Sequence, residues 1–291
     1  MLTTVEAFDK FRQNLELSDT EAKDAQRRHK DLRECVRAGF DVENDFLSGS
    51  YRRHTKTKPL KDVDLLFALG EEEVWRRKKP PIEALQAFAA CLKKEYGAVE
   101  IGRRSVTVEF EKPNYADGHE GKILSVDAVP AFRVGNDYEI PDKITGTWIK
   151  TNPQTHAEEA TAKNEQLGGR WIPLVKMIKG WNRANGRPIK PPFLLEVMAQ
   201  DLIVPPFSSY ADEIRNFFAA AAVTIHRAWL DPAGLGPPVS DQMTPELVAA
   251  ARTALQDAER KAAVAMRIEH SSQGEALRLW REILGDYFPL S

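Results

Sequence analysis

Two aspartates separated by one residue, Asp62 and Asp64, stand at the head of an apolar run that has the composition of a β-strand. Side chains alternate faces along a strand, so the two carboxylates point to the same side. Like carboxylates repel each other unless a cation lies between them. Mg²⁺ usually meets a protein through one or two carboxylates together with substrate phosphates. This pair therefore predicts a strand that opens at a metal site.

A Gly-Ser turn, Gly49-Ser50, precedes this strand. Glycine lets the backbone approach a ligand closely, and exposed N–H groups with a nearby hydroxyl suit a triphosphate. The turn and the aspartate pair together favour the hypothesis of a metal-dependent nucleotidyl transfer site.

A third carboxylate, Asp127, lies inside the otherwise apolar run 123–132. An unpaired buried charge is costly, so Asp127 needs a partner. One interpretation is a structural salt bridge or a backbone hydrogen bond at a strand end. The other is a third metal ligand, because three carboxylates on adjacent strands could hold two cations.

The chain changes character near residue 151. Before it, helical and strand patterns mix, and Ser18 with Glu21 forms a capping box that starts a helix. After it, helical patterns dominate, at 156–167, 171–184, 193–202, 209–230, 245–268 and 273–288. We therefore predict an α+β domain over residues 1–150, with N-terminal helices and a central sheet, and a helical bundle over residues 151–291.

Composition limits the partners and the compartment. The net charge of −2 over 291 residues gives no overall attraction to nucleic acid. The two cysteines, Cys35 and Cys91, are far apart in sequence and indicate neither a disulfide framework nor a zinc site. Neither a signal peptide nor an apolar run of about 20 residues is present, so we expect a cytoplasmic protein without a membrane segment.

The motifs resemble a known family. Gly49-Ser50, Asp62-Val63-Asp64 and Val126-Asp127-Ala128-Val129-Pro130 look like the polymerase-β-type nucleotidyltransferases. Within them the chain is most similar to the cGAS/DncV-like enzymes of bacterial anti-phage defence, the CD-NTases. The narrower similarity depends on two stretches, Lys176 to Asn182 (Lys-x-x-Lys-x-Trp-Asn) and Phe193-Leu194-Leu195-Glu196. Similarity spans roughly residues 47–197.

The resemblance implies a polymerase-β-like core, a mixed sheet flanked by helices, with a helical domain that closes the active-site cleft. It implies that Ser50 contacts the triphosphate and that Asp62, Asp64 and Asp127 hold two Mg²⁺ or Mn²⁺ ions. In the basic segment after the turn, we expect Arg52 or Arg53 to lie near the phosphates and the other cations to be exposed.

The resemblance also places Lys176 against the donor phosphates, with Lys179 beside it on one helical face. The alternative is a solvated face of an amphipathic helix. Phe193 corresponds to an aromatic residue that stacks on a base, or else is a core residue of its helix. Pro192 stands where the family often has serine, and proline has neither a hydroxyl nor an N–H for phosphate.

Asn152 is a further candidate for base recognition, because a side-chain amide both donates and accepts hydrogen bonds. The alternative is that Asn152-Pro153 is a turn that starts a helix.

The leading functional hypothesis is a synthase that joins NTPs into a cyclic di- or trinucleotide and releases pyrophosphate. Its product would activate a separately encoded effector protein, and the sequence is compatible with a regulatory partner protein. The alternatives are an RNA-directed nucleotidyltransferase that extends tRNA or other RNA 3′ ends, and a non-catalytic nucleotide-binding module. The negative net charge weighs against an RNA substrate, so nucleic acid is not expected to be required.

Overall fold

The computed structural model describes residues 2–58, 62–110 and 125–291, except for the side chain of Asp62. The chain forms two compact units. One is Leu17–Ala157, and the other combines Met1–Glu16 with Glu158–Ser291. Within the described ranges, we find no helix that combines the length and the apolar character needed to cross a membrane.

The strands of the described residues form one mixed sheet in the first of these units. They are β1 (Val42–Leu47), β2 (Asp62–Leu69), β3 (Ala98–Ile101), β4 (Val106–Glu109), β5 (Ser125–Val134), β6 (Asp137–Asp142) and β7 (Thr147–Thr151). Strands β2 and β5 are parallel neighbours at the centre of the order β1-β2-β5-β4-β3, and the other pairs are antiparallel. The predicted α+β class with a mixed sheet flanked by helices is confirmed.

Helices account for most of the remaining regular structure. They are α1 (Thr4–Asn14), α2 (Asp19–Gly39), α3 (Gly49–Arg52), α4 (Pro81–Leu92), α5 (Pro153–Gln166), α6 (Trp171–Ala184), α7 (Pro192–Leu202), α8 (Tyr210–Thr224), α9 (Pro245–Ile268) and α10 (Gln273–Leu284). The capping box predicted for α2 is confirmed: Ser18 Oγ accepts the Glu21 N–H at 3.3 Å, and the Glu21 carboxylate accepts the Ser18 N–H at 2.8 Å.

One face of the sheet is apolar and packs against helices of its own unit. Val63, Leu65 and Val126 are fully buried there together with Leu32 of α2 and Phe88 of α4. Because side chains alternate along a strand, the residues between these core positions point to the opposite face. This alternation places polar side chains of β2 and β5 away from the apolar core.

Helix α1 belongs to the helical unit, whereas the predicted division at residue 150 grouped both N-terminal helices with the sheet. Its apolar face carries Phe8 and Phe11, which are almost completely buried. The Phe8 ring lies 4.9 Å from the Trp280 ring and 5.2 Å from the Phe288 ring. Helical periodicity predicts that such a face is buried, but does not specify which helices cover it.

Strands β6 and β7 were not predicted, and a buried carboxylate fastens them to the turn between β3 and β4. Asp142 at the end of β6 is fully buried. Its carboxylate accepts hydrogen bonds from Nε of Arg103 and Nε of Arg104, each at 3.0 Å, and from the N–H groups of Ile144 and Thr145. Burial alone raises the pKa of Asp142, but these hydrogen bonds outweigh it and lower the pKa to about 2.

We expect Asp142→Asn to lower the free energy of unfolding by about 3 kcal/mol at neutral pH, because two guanidinium groups lose their carboxylate partner. The folded pKa lies below the ordinary value of 3.8, so this stabilisation exists above pH of about 4. It is lost as the pH falls from there toward 2. Urea unfolding of both proteins between pH 7 and pH of about 3 measures the difference.

The control for this prediction is Glu43→Gln, which removes an exposed ion pair with Arg133 in the same unit. Exposed pairs contribute about 0–1 kcal/mol, so this variant should unfold almost like the wild type. An equal effect of the two substitutions, or a difference between wild type and Asp142→Asn that does not shrink in acid, would contradict the assigned role of Asp142.

Candidate active site

The Gly-Ser turn is in direct contact with β2, the strand that carries Asp64. Gly49 opens α3 with a φ of +59°, in the left-handed region that favours glycine. A Cβ on Gly49 would lie 1.8 Å from Oδ2 and 2.5 Å from Cγ of Asp64. The backbone N–H of Ser48 donates to the carbonyl oxygen of Asp64 at 2.8 Å. Position 49 therefore requires glycine for two reasons, the backbone conformation and the space taken by Asp64.

Asp64 and Asp127 lie directly opposite each other on the parallel strands β2 and β5. Both are half-buried, whereas their neighbours Val63 and Val126 are buried in the core on the other face. Adjacent strands are about 4.8 Å apart, so the register brings the two carboxylates together on one face. The backbone of Asp62 lies opposite Ser125 in the same ladder.

A residue that the sequence reasoning missed contacts Asp127. Thr107 on β4 is the cross-strand partner of Asp127, and its Oγ1 donates to Oδ1 of Asp127 at 2.5 Å. Val106 and Val108 alternate with polar residues, which is typical of a strand with one buried face, but this pattern gives Thr107 no role of its own. A polar residue between two core positions is the only sequence feature that could have singled it out.

The arrangement fits a divalent cation. Two carboxylates in register on one face supply the oxygen ligands that Mg²⁺ and Mn²⁺ prefer. Among the residues whose side chains the structure describes, no group of three or more His, Cys, Asp and Glu side chains could hold a metal ion. The side chain of Asp62 lies outside that part of the chain, so the set of three carboxylates stays a prediction.

The predicted phosphate ligands near the turn have protein contacts of their own. Ser50 is half-buried in α3, and its carbonyl oxygen accepts the Thr55 N–H at 3.0 Å. The Arg52 guanidinium donates to Oε1 of Gln154 and lies 6.0 Å from the Phe46 ring centre. The prediction that the remaining cations are exposed is wrong for Lys56, which is 9% exposed. Phosphate contacts of Ser50 and Arg52 stay predictions.

Asn152 starts α5. Its Oδ1 accepts the N–H groups of Gln154 and Thr155, each at 3.1 Å, and its Nδ2 donates to Oδ1 of Asp137 at 2.9 Å. These contacts match the alternative interpretation of Asn152 as a helix start. Both sides of the amide are engaged within the protein, and a base contact stays a prediction.

The two lysines of α6, in the helical unit, are ion-paired. The side chains of Lys176 and Lys179 are only 9% and 10% exposed, so the solvated-face alternative is wrong. Nζ of Lys176 lies 2.7 and 2.6 Å from the two carboxylate oxygens of Glu16. Nζ of Lys179 lies 2.6 Å from Oε1 of Glu196, whose side chain is 3% exposed. Glu16 is 160 residues from Lys176 in sequence, so no local pattern predicts this pair.

The Lys179–Glu196 pair connects α6 with α7, and so joins the two stretches that carried the narrower resemblance. Phe193, one turn before Glu196 on α7, is half-buried and packs against the core of the helical unit. Pro192 is the first residue of α7 and is exposed. Stacking of Phe193 on a base stays a prediction.

Comparison with known proteins gives consistent matches. A family model described as the second messenger oligonucleotide or dinucleotide synthetase domain matches residues 2–164. A cyclic AMP-AMP-AMP synthase of an Acinetobacter species is 29% identical, over 100% of this chain and 87% of that protein.

Solved structures match over nearly the whole length. The CdnC protein of E. coli MS115-1 with ATP superposes with a TM-score of 0.74 at 17% identity, covering 99% of each chain. The same protein in a complex with HORMA-deltaN gives a TM-score of 0.71 at 18% identity, covering 98% of each chain. At these identities the similarity establishes a shared fold.

Proposed function

Since this chain belongs to the second messenger oligonucleotide or dinucleotide synthetase family of nucleotidyltransferases, we propose that it joins NTPs into a cyclic oligonucleotide and releases pyrophosphate. The observation that carries the proposal is the register of Asp64 and Asp127 beside Gly49. The two aspartates offer ligands for a divalent cation. The glycine turn beside them lets the backbone approach a triphosphate closely at the same place.

Two divalent cations, Mg²⁺ or Mn²⁺, would be held by Asp64 and Asp127 together with Asp62. When bound, such cations lower the pKa of an attacking hydroxyl and neutralise charge on the triphosphate and on the leaving pyrophosphate. The protein supplies position and charge. Ser50 and Arg52 bind phosphate, and Gly49 leaves the space that the Asp64 carboxylate occupies.

The proposed substrate is ATP, and a cyclic triadenylate is the first product to seek. Support comes from the whole-chain similarity to a cyclic AMP-AMP-AMP synthase and from the shared fold with a protein seen with ATP. The product would act as a second messenger on a separately encoded effector in anti-phage defence. A regulatory partner protein is proposed because the CdnC protein of E. coli occurs in a complex with HORMA-deltaN.

The test is incubation of the purified protein with Mg²⁺ or Mn²⁺ and the four labelled NTPs, each alone and combined. Phosphatase-resistant products with the mass of a cyclic oligonucleotide are expected. A product formed only when RNA is added would overturn the proposal in favour of an RNA-directed enzyme. Nucleotide binding without any product would favour a binding module.

The proposed contact of Lys176 with the donor phosphates can be tested by substitution. We expect Lys176→Met to raise the KM for ATP by about 10-fold or more, because a charge-assisted hydrogen bond to phosphate contributes roughly 1.5–3 kcal/mol. Glu16→Gln breaks the same ion pair but keeps the ammonium group. Steady-state kinetics of both variants separates the two roles of Lys176. An equal rise of KM in both variants would mean that the lysine acts only through its pair with Glu16.

A further inference from the structure

Thr107 lies on the face of the sheet that carries the candidate site. Its neighbours on β4, Val106 and Val108, are fully buried, so Thr107 points to the other face with Asp127. The register of β4 on β5 sets it directly opposite Asp127, on the side of β5 away from β2. Asp127 is therefore flanked by Asp64 on one neighbouring strand and by Thr107 on the other.

The contact between these side chains is short and directed. A hydroxyl has one hydrogen, and Thr107 donates it to Oδ1 of Asp127 over 2.5 Å, as expected for an O–H···O⁻ bond. Threonine is stiff at χ1 because its Cβ is branched. Its hydroxyl therefore restricts rotation of the carboxylate about the Cβ–Cγ bond.

We propose that Thr107 is a positioning residue that orients the Asp127 carboxylate for a divalent cation. The inference rests on the proposed function, because it takes Asp127 as a metal ligand. Hydrogen-bond partners of ligating carboxylates fix their orientation, and their removal commonly costs 10–100-fold in metal affinity or activity. Thr107 would act through Asp127 and need not touch the substrate.

Two substitutions of Thr107 distinguish its proposed role in orienting Asp127 from a role in packing. Thr107→Val keeps the shape of the side chain and loses the hydroxyl, whereas Thr107→Ser keeps the hydroxyl and loses a methyl group. A structural role for the methyl group would make the serine variant the more impaired one. The proposed role makes the valine variant the more impaired one and predicts that serine preserves metal binding.

The experiment measures Mn²⁺ binding by electron paramagnetic resonance in the presence of a non-hydrolysable ATP analogue, and also the Mn²⁺ concentration for half-maximal product formation. Thr107→Val should need about 10–100 times more Mn²⁺ in both measurements, and Thr107→Ser should stay within about 3-fold of wild type. Thr145→Val is the control, because it also removes a threonine hydroxyl close to a buried aspartate. This hydroxyl donates to the backbone oxygen of Asp142, which lies in the same sheet and outside the candidate site.

Wild-type Mn²⁺ binding by Thr107→Val, or an equal loss in the serine variant, would overturn the inference. A wild-type protein that makes no product would count against the proposed function alone, because the binding measurement still compares Thr107→Val with wild type. Thermal unfolding of each variant checks that the compared proteins are folded.

Discussion

Replacing Gly49 with alanine is expected to lower the rate of product formation by about 100-fold or more. The new Cβ would lie 1.8 Å from Oδ2 of Asp64, so the carboxylate or the turn must move. A displacement of about 1 Å in a catalytic arrangement can cost 10²-fold in rate. The left-handed backbone of Gly49 adds about 1–2 kcal/mol of strain for any residue with a side chain. Initial rates at saturating ATP measure the effect.

Gly135→Ala is the matched control for this experiment. Gly135 also has a positive φ, +65°, but a Cβ there would meet nothing within 4 Å. The two variants therefore share the backbone strain and differ in the contact with Asp64. Comparable losses of activity in both variants would show that backbone strain at the substituted residue, and not displacement of Asp64, explains the result.

The second large effect is expected at the carboxylates. Asp64→Asn and Asp127→Asn should each lower the rate by about 10³-fold or more, because a neutral amide binds Mg²⁺ and Mn²⁺ far less strongly than a carboxylate. The substitutions keep the size of the side chain, so we expect small changes in thermal stability. Product formation and Mn²⁺ binding should fall together.

The control for the carboxylates is Glu139→Gln on β6, a carboxylate of the same sheet that pairs with Arg77. It should leave Mn²⁺ binding and activity within a few-fold of wild type. Normal activity in both single variants, Asp64→Asn and Asp127→Asn, would contradict the proposal that these aspartates bind the metal. Loss of activity with unchanged Mn²⁺ binding would assign the two aspartates another role.

Local sequence patterns predicted some elements more accurately than others. The cap at Ser18 and the bounds of α6 and α9 follow from periodicity, capping and proline position, which act within a few residues. The hairpin of β6 and β7 was missed, because its strands contain Pro141 and few regularly alternating apolar residues. Gly135-Asn136 between β5 and β6 was the available signal for a turn.

The residues of the candidate site and of the lysine ion pairs also differ in how far the sequence predicts them. Asp64 and Asp127 were found because a charge in an apolar strand is conspicuous in any sequence. Thr107 and Glu16 were missed, and the pairing of Glu196 with Lys179 was not predicted, because polar residues in a strand, a loop or a helix are ordinary until their partners are known. Cys35 and Cys91, 56 residues apart, show the same limit: Sγ of Cys91 lies 3.8 Å from the carbonyl oxygen of Cys35.

The sequence by itself determined the strand that opens with Asp62 and Asp64 and the glycine before it. It also predicted that these two residues share a face, since alternation is a property of the extended chain. Only the tertiary structure decided that Asp127 lies in register with Asp64, that Thr107 holds Asp127, and that the Asp64 carboxylate fills the space beside Gly49. Strand order and helix packing set these contacts, because they join residues that local chain geometry leaves independent.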